Sequence, residues 1–228
     1  MMDLATDDSE PDCAPCALED YGGCEAAART RLAVRRGSIL YRQNDAFRSF
    51  MAVRRGSFKS VAVAPDGREQ VLAFVLAGDV LGLDGFGHSR YASTAIALED
   101  SEVLVLDYGM SGSTGSGPEL HHAMARILSR ELLRDYKLKV LLASMTAEQK
   151  LSSFLLNMSR RLQDRGGCPG DLPLRMTRTD IASYLGLSLE TVCRTLTSMQ
   201  RRGVLKIEGR HLHLLDRSAL LRQFGREE

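Results

Sequence analysis

Glu190 and Arg194 stand four residues apart in Ser188-Leu-Glu-Thr-Val-Cys-Arg194, so a helix there carries a carboxylate and a guanidinium on one side. Thr197, Gln200 and Arg201 prolong that side with further hydrogen-bonding groups, a set suited to base edges and phosphates. A second group with chemistry of its own is Cys13-x2-Cys16-x7-Cys24. Clustered cysteines in a reducing compartment bind metal or sense redox state more often than they form disulfides. No nucleophile–base pair, phosphate loop or metal triad is present, so the sequence points away from an enzyme.

The elements that must position the first group are local and readable. Thr177 or Thr179 can cap a helix ending near Leu185, and Gly186 supplies a turn. Ser188 caps a second helix, with Thr191 where a capping box would want Glu or Gln. Ile181, Tyr184, Leu185, Leu187, Val192, Leu196 and Met199 recur at helical spacing and make the buried side. An ordinary helical hairpin with a solvated polar face has the same periodicity. Two features favour a DNA reader: Glu190 and Arg194 open the second helix, and apolar strands follow at once over Val204–Leu215, turning at Glu208–Gly209. Together these predict a winged helix-turn-helix, with Thr177, Arg178, Ser188, Glu190, Thr191, Cys193 and Arg194 at the DNA.

A net charge of +1 conceals an asymmetry. Residues 1–24 hold seven carboxylates and no Lys or Arg, whereas residues 175–228 hold ten Lys or Arg against six Asp or Glu. The basic end suits phosphate contact, and the acidic start would be repelled by it. No apolar run reaches the ~20 residues that span a bilayer, and the N-terminus lacks a signal peptide's positive and apolar regions. A cytoplasmic protein with no membrane partner is expected.

Along the chain, residues 1–33 read as an acidic, disordered start followed by the cysteine-bearing segment. Residues 34–108 alternate short apolar runs (SILY, SFMAV, SFKSVAVA, QVLAFVL, DVLGL, STAIAL, EVLVL) with turn signals, which predicts a β-roll of jelly-roll type. His88 is its only histidine, too few ligands for a cupin-type metal site. A Gly/Ser-rich connector, 109–117, leads to a long helix over 118–146. Residues 147–228 hold a further helix to about Leu162, a break at Gly166–Gly170 and the winged helix, making an α+β chain overall.

In the long helix Met124, Leu128, Glu131, Asp135, Leu138, Leu142 and Met145 step by four and three, the spacing of a coiled-coil seam. A second register through Leu120, Ile127, Arg134 and Leu141 fits as well. The stripe is either a core face against the roll or a dimer seam. Joined to a helix-turn-helix, which reads paired half-sites, the homodimer seam is preferred. Glu131 and Asp135 would then face symmetry mates and weaken the dimer, as a switchable regulator needs.

Sensor roll, long helix and winged helix, in this order from about Val34 to Leu215, resemble the CRP/FNR family of transcription regulators. The segments LAGDVLGLDGFG (76–87), MTAEQKLSSFLLNMSRRL (145–162) and MTRTDIASYLGLSLETVCRTL (176–196) carry the likeness, closest to its FNR and FixK branch. The resemblance implies a dimeric regulator of anaerobic or redox-responsive genes, acting on double-stranded DNA with RNA polymerase as a partner. It implies that Glu190 accepts from a cytosine amino group or a neighbouring base and that Arg194 donates to guanine. Leu189 stands where cyclic AMP receptors carry another base-reading Arg, which implies a TTGAT-like palindrome. Cys193 replaces the branch's usual Ser, either as a tolerated small side chain or as an oxidisable thiol. Gly78-Asp79-Val80 and Arg90-Tyr91-Ala92 stand in rough register with cyclic AMP contacts but depart from them, so that pocket reads as lost.

Cys13, Cys16 and Cys24 resemble the iron–sulfur segment of FNR-type oxygen sensors, which implies a [4Fe–4S] cluster. The family's fourth ligand falls at Leu104, so Asp100, Glu102, Asp107 or a small ligand would have to complete the set. Cys168 and Cys193 lie in or beside the DNA-reading domain. The alternatives are a zinc or thiol switch, a FixK-like regulator with no cofactor, or a sensor whose roll binds a nucleotide or other effector.

Overall fold

The computed structural model describes residues 30–64, 67–107, 118–168 and 170–224. Eight strands form the roll: β1 (Thr30–Val34), β2 (Ile39–Tyr41), β3 (Ser49–Arg55), β4 (Ser57–Val63), β5 (Glu69–Leu76), β6 (Val80–Leu81), β7 (Thr94–Ala97) and β8 (Ser101–Asp107). They pair antiparallel into two four-stranded sheets, β1-β8-β3-β6 and β2-β7-β4-β5. Met51, Val53, Val103, Phe58 and Val75 fill the space between the sheets. Their neighbours on the same strands, Phe50, Ala52 and Leu104, point out of the first sheet and are also buried, against Ile127. Apolar cover on both faces explains why these strands read as near-continuous apolar runs rather than alternating ones.

Strand β1 begins at Thr30, four residues before the roll boundary expected from sequence, and hydrogen-bonds to β8 along its length. Its first four residues, Arg31 among them, are exposed.

Five helices and a small sheet follow: α1 (Pro118–Ser144), α2 (Ala147–Gln163), β9 (Asp171–Pro173), α3 (Arg178–Leu185), α4 (Leu189–Arg201), β10 (Leu205–Glu208), β11 (His211–Leu214) and α5 (Arg217–Arg222). The wing has three strands, in the order β10-β11-β9, one more than expected. Its hairpin turns at Gly209–Arg210, one residue beyond the expected place, because Glu208 pairs with His211 and Gly209 takes a φ of 60°. A Gly with positive φ at the first central position suits a type II′ hairpin turn. No helix among the described residues is long and apolar enough to cross a membrane.

The C-terminal domain is not a separate bead. Leu151, Phe154, Ile181, Leu185, Leu196 and Met199 share one core with Val61, Val71, Phe74 and Leu76, the outward residues of β4 and β5. The orientation of α1 sets much of its apolar spacing against its own protomer. Ile127 packs on the first sheet, and Leu138, Leu141, Leu142 and Met145 pack into the shared core of the same protomer. Both sequence registers thus draw mainly on the inward face, with Glu131 half-buried beside them and paired to Arg134. The outward apolar residues are Leu132, Leu133, Tyr136 and Val140, each 49–61% exposed. They fall within an arc of about 100° at 3.6 residues per turn. Asp135 is exposed about 60° beyond that arc.

Candidate nucleic-acid interface

Helix α3 starts at Thr177, not Thr179. The Thr177 hydroxyl accepts from the Asp180 N–H at 3.1 Å, and the Asp180 carboxylate accepts from the Thr177 N–H at 2.8 Å, a reciprocal capping box. The same carboxylate holds Lys59 of β4 at 2.6 Å, so the cap also fastens α3 to the roll. Burial alone would raise the Asp180 pKa, but the bonds from Lys59 and Thr177 hold it below the usual carboxylate range. Gln70 and the Val71 N–H add hydrogen bonds from β5 to Ser183, the latter at 2.9 Å.

Gly186 ends α3 with a φ of 61°, a conformation that disfavours any side chain. Ser188 then caps α4, its hydroxyl accepting from the Thr191 N–H at 3.1 Å and sharing a 2.8 Å bond with the Thr191 hydroxyl. Val192, Leu196 and Met199 are buried and fix the rotation of α4. That rotation leaves Glu190 and Arg194 with side chains 84% and 71% exposed, one turn apart, in a loose 3.4 Å ion pair. An exposed pair of this kind contributes little to stability, about 0.3–0.5 kcal/mol, so both groups are free to exchange partners for base edges. Gln200 and Arg201 are exposed on the same helix, while the Thr197 hydroxyl is spent on the Cys193 carbonyl at 2.9 Å. Thr177 and Arg178 are exposed at the start of α3.

Cys193 is half-buried, with its Sγ 3.7 Å from Nη1 of Arg178. This approach joins α4 to α3 across 15 residues of sequence. Nothing in the local pattern of either helix signals it.

Asp79 and Tyr91, which stand near the cyclic AMP contacts in sequence, have other partners. Asp79 is held by Arg161 at 2.5 Å and Arg165 at 2.8 Å, with Arg134 at 3.6 Å, so it ties the roll to α2 and α1. Burial opposes its charge, yet the three guanidiniums keep its carboxyl below the ordinary range. Tyr91 is buried in the roll, stacked on Tyr41 at 4.0 Å and donating to the Ser49 carbonyl at 2.8 Å. Arg90 donates to the Asn44 carbonyl at an exposed position.

Cys13, Cys16 and Cys24 lie outside the described residues. Leu104 is 2% exposed between β3 and α1, an apolar packing position. Of the carboxylates near it, Asp100 accepts from the Arg36 N–H at 2.8 Å and Glu102 from Arg54 at 3.1 Å. Among the described residues no three His, Cys, Asp or Glu side chains are grouped to hold a metal ion.

Comparison with known proteins agrees with this geometry. Residues 31–110 match the cyclic nucleotide-binding domain, and residues 149–223 match the Crp-like helix-turn-helix domain. The chain is 36% identical over 193 residues to the fumarate and nitrate reduction regulatory protein of Escherichia coli K12, covering 84% of this chain and 77% of that one. It is 34% identical over 209 residues to the transcriptional activator protein anr of Pseudomonas aeruginosa, covering 90% and 86%. Its fold superposes on FixK2 from Bradyrhizobium japonicum with a TM-score of 0.77 at 30% identity, over 85% of this chain and 96% of that one. A CRP-family transcriptional regulator of Thermus thermophilus, at 23% identity and a TM-score of 0.70 over 86% and 97%, shares the fold.

Proposed function

This chain belongs to the CRP/FNR family of transcription regulators, and we propose that it works as a homodimer reading a TTGAT-like palindrome through α4. DNA binding by the helix-turn-helix and a regulatory rather than enzymatic role come with the family. One observation carries the finer reading: α4 is anchored by three buried side chains and turns Glu190 and Arg194 outward, nearly unencumbered. In a major groove the guanidinium donates to a guanine edge and the carboxylate accepts from a cytosine amino group or a neighbouring base. We read Thr177, Arg178, Ser188 and Thr191, at the starts of α3 and α4, as phosphate contacts, with the N-terminus of α4 favouring an anion there. The test is a gel shift on TTGAT and TGTGA palindromes of equal length. Preference for TTGAT supports the reading, and equal or reversed affinity removes it.

Leu132, Leu133, Tyr136 and Val140 offer a second copy of the chain an apolar face continuous along α1. Two such helices side by side space two readers for successive grooves, the arrangement paired half-sites require. Asp135, beside that face, would bring like charges together and keep the pairing weak; Glu131, turned toward its own protomer, contributes less. RNA polymerase is the partner through which a bound dimer would act.

Among the described residues, no cysteine stands at the family's fourth-ligand position. Leu104 occupies the fourth position as buried apolar packing, and Asp100 and Glu102 are already engaged. This favours the FixK-like reading, a regulator that needs no four-cysteine cluster, and the cysteines of the N-terminal segment are left for a zinc or thiol role. Anaerobic purification with absorption spectroscopy and iron and zinc analysis decides it: a brown protein with about four irons per chain would return the cluster.

A further inference from the structure

The roll grips the first helix of the DNA reader at three places. Glu99, in the turn between β7 and β8, pairs with Arg175 just ahead of α3 at 3.0 Å. Lys59 of β4 holds Asp180 in the first turn of α3 at 2.6 Å. Toward the end of the helix, the Ser183 hydroxyl accepts from the Val71 N–H at 2.9 Å, and Gln70 donates to the Ser183 carbonyl.

These contacts supply what the apolar core beside them cannot. Val61, Val71 and Phe74 of the roll share that core with Ile181 and Leu185 of α3. Apolar burial is non-directional, so by itself it lets one body slide or turn on the other. Hydrogen bonds and close ion pairs weaken steeply with distance and angle. Spread along a helix of eight residues, they fix both where α3 sits and how it is turned. The pair of Lys59 with Asp180 is the most sheltered, its side chains 20% and 10% exposed, so salt screens it little. Helix α4 inherits the placement, since Val192 and Leu196 share the core with Ile181 and Leu185 and Gly186 sets the turn between the helices.

We infer that Lys59 and Glu99 are positioning residues for DNA binding: from the roll they set the attitude of α3 and α4, so that the two readers of a dimer engage both half-sites at once. This rests on the reading of α4 as one half of a palindrome reader. Both side chains act through the start of α3, and neither belongs to the face that α4 turns outward. Once one half-site is bound, engagement of the second is intramolecular, and its advantage vanishes when geometry forbids both. One base pair of spacer moves a half-site by about 3.4 Å and turns it by about 35°. A loosened attitude therefore shows as a blunted preference for spacer length.

The test uses the full chain in gel shifts at low salt, where binding by a single reader is measurable. The duplexes are a palindrome of the preferred spacer, palindromes one base pair shorter and longer, and a duplex with one half-site. Lys59→Met and Glu99→Gln should each lower affinity for the preferred palindrome by roughly tenfold, leave the single half-site within about twofold of wild type, and flatten the preference among spacers. Lys59→Arg keeps a cation against Asp180 and should restore the preference. A pair that served stability alone would lower Tm and leave the ratio of palindrome to half-site affinity unchanged. Glu99→Gln acts at a partly exposed pair, so it reports even if Lys59→Met disturbs folding. The inference is overturned if that ratio and the spacer preference keep their wild-type values in both variants, or if palindrome and half-site affinities fall together. Wild-type protein that binds a palindrome no better than a half-site is a separate failure, which removes the paired reading of α4 and this inference with it.

Discussion

Arg194 is the side chain on which sequence reading should depend most. Its guanidinium is exposed and its one ion pair, to Glu190, is loose. Arg194→Ala should lower affinity for a TTGAT palindrome by roughly 10- to 100-fold per half-site, equivalent to about 1–3 kcal/mol for a bidentate base contact. A gel shift on matched and mutated half-sites checks it: the variant should also lose discrimination at one base pair. If the loss is uniform over all sequences, Arg194 holds phosphate and not a base. Position, exposure and neighbours of Glu190 and Arg194 were legible because a four-residue spacing and a serine cap act within one turn. The contact between Cys193 and Arg178 was not, since it depends on how two helices cross.

At the level of elements, the capping box at Thr177 and the outer face of α1 make separate predictions. Thr177→Ala removes one half of the box and should cost about 1 kcal/mol, a fall in Tm of roughly 2–4 °C for a chain of this size. Calorimetry measures it, and an unchanged Tm would mean that Lys59 alone holds the start of α3. Tyr136→Glu puts a charge in the middle of the outward apolar stripe and should leave the fold intact while shifting the protein toward monomer. Asp135→Ala should do the opposite and raise dimer and DNA occupancy. Sedimentation velocity on both variants separates the outcomes; if neither moves the equilibrium, the dimer does not form on this face. The apolar period of α1 was visible in sequence, but its direction was not, because a core neighbour and a second protomer demand the same side chains.

For the whole molecule, the joint between domains rests on Asp79. Three guanidiniums, from α1, α2 and the turn after α2, meet one carboxylate at the β5–β6 turn. Because its folded pKa lies below the unfolded value, this carboxylate contributes stability that is present above the ordinary carboxylate range. That contribution is lost as pH falls through the lower, folded pKa. Asp79→Asn should therefore destabilise the protein by about 3–5 kcal/mol near neutral pH, leaving the buried Arg161 and the half-buried Arg165 without their anion. Denaturant titrations at several pH values should show the gap between variant and wild type closing in strong acid. A gap that stays constant would assign the role of Asp79 to packing.

The roll, the long helix and the winged reader could be derived from this sequence by itself because caps, turns and apolar periods act over a few neighbouring residues. The short strands β1 and β9 escaped, since strands of five and three residues with charged or proline side chains owe their place to the partner they bond. Which side of α1 meets its own protomer, and the union of Asp79 with side chains 82 and 86 residues away, were decided only by the tertiary structure. A periodic pattern states that a surface must be covered; the identity of the cover depends on contacts between distant segments, which form only when the whole chain packs.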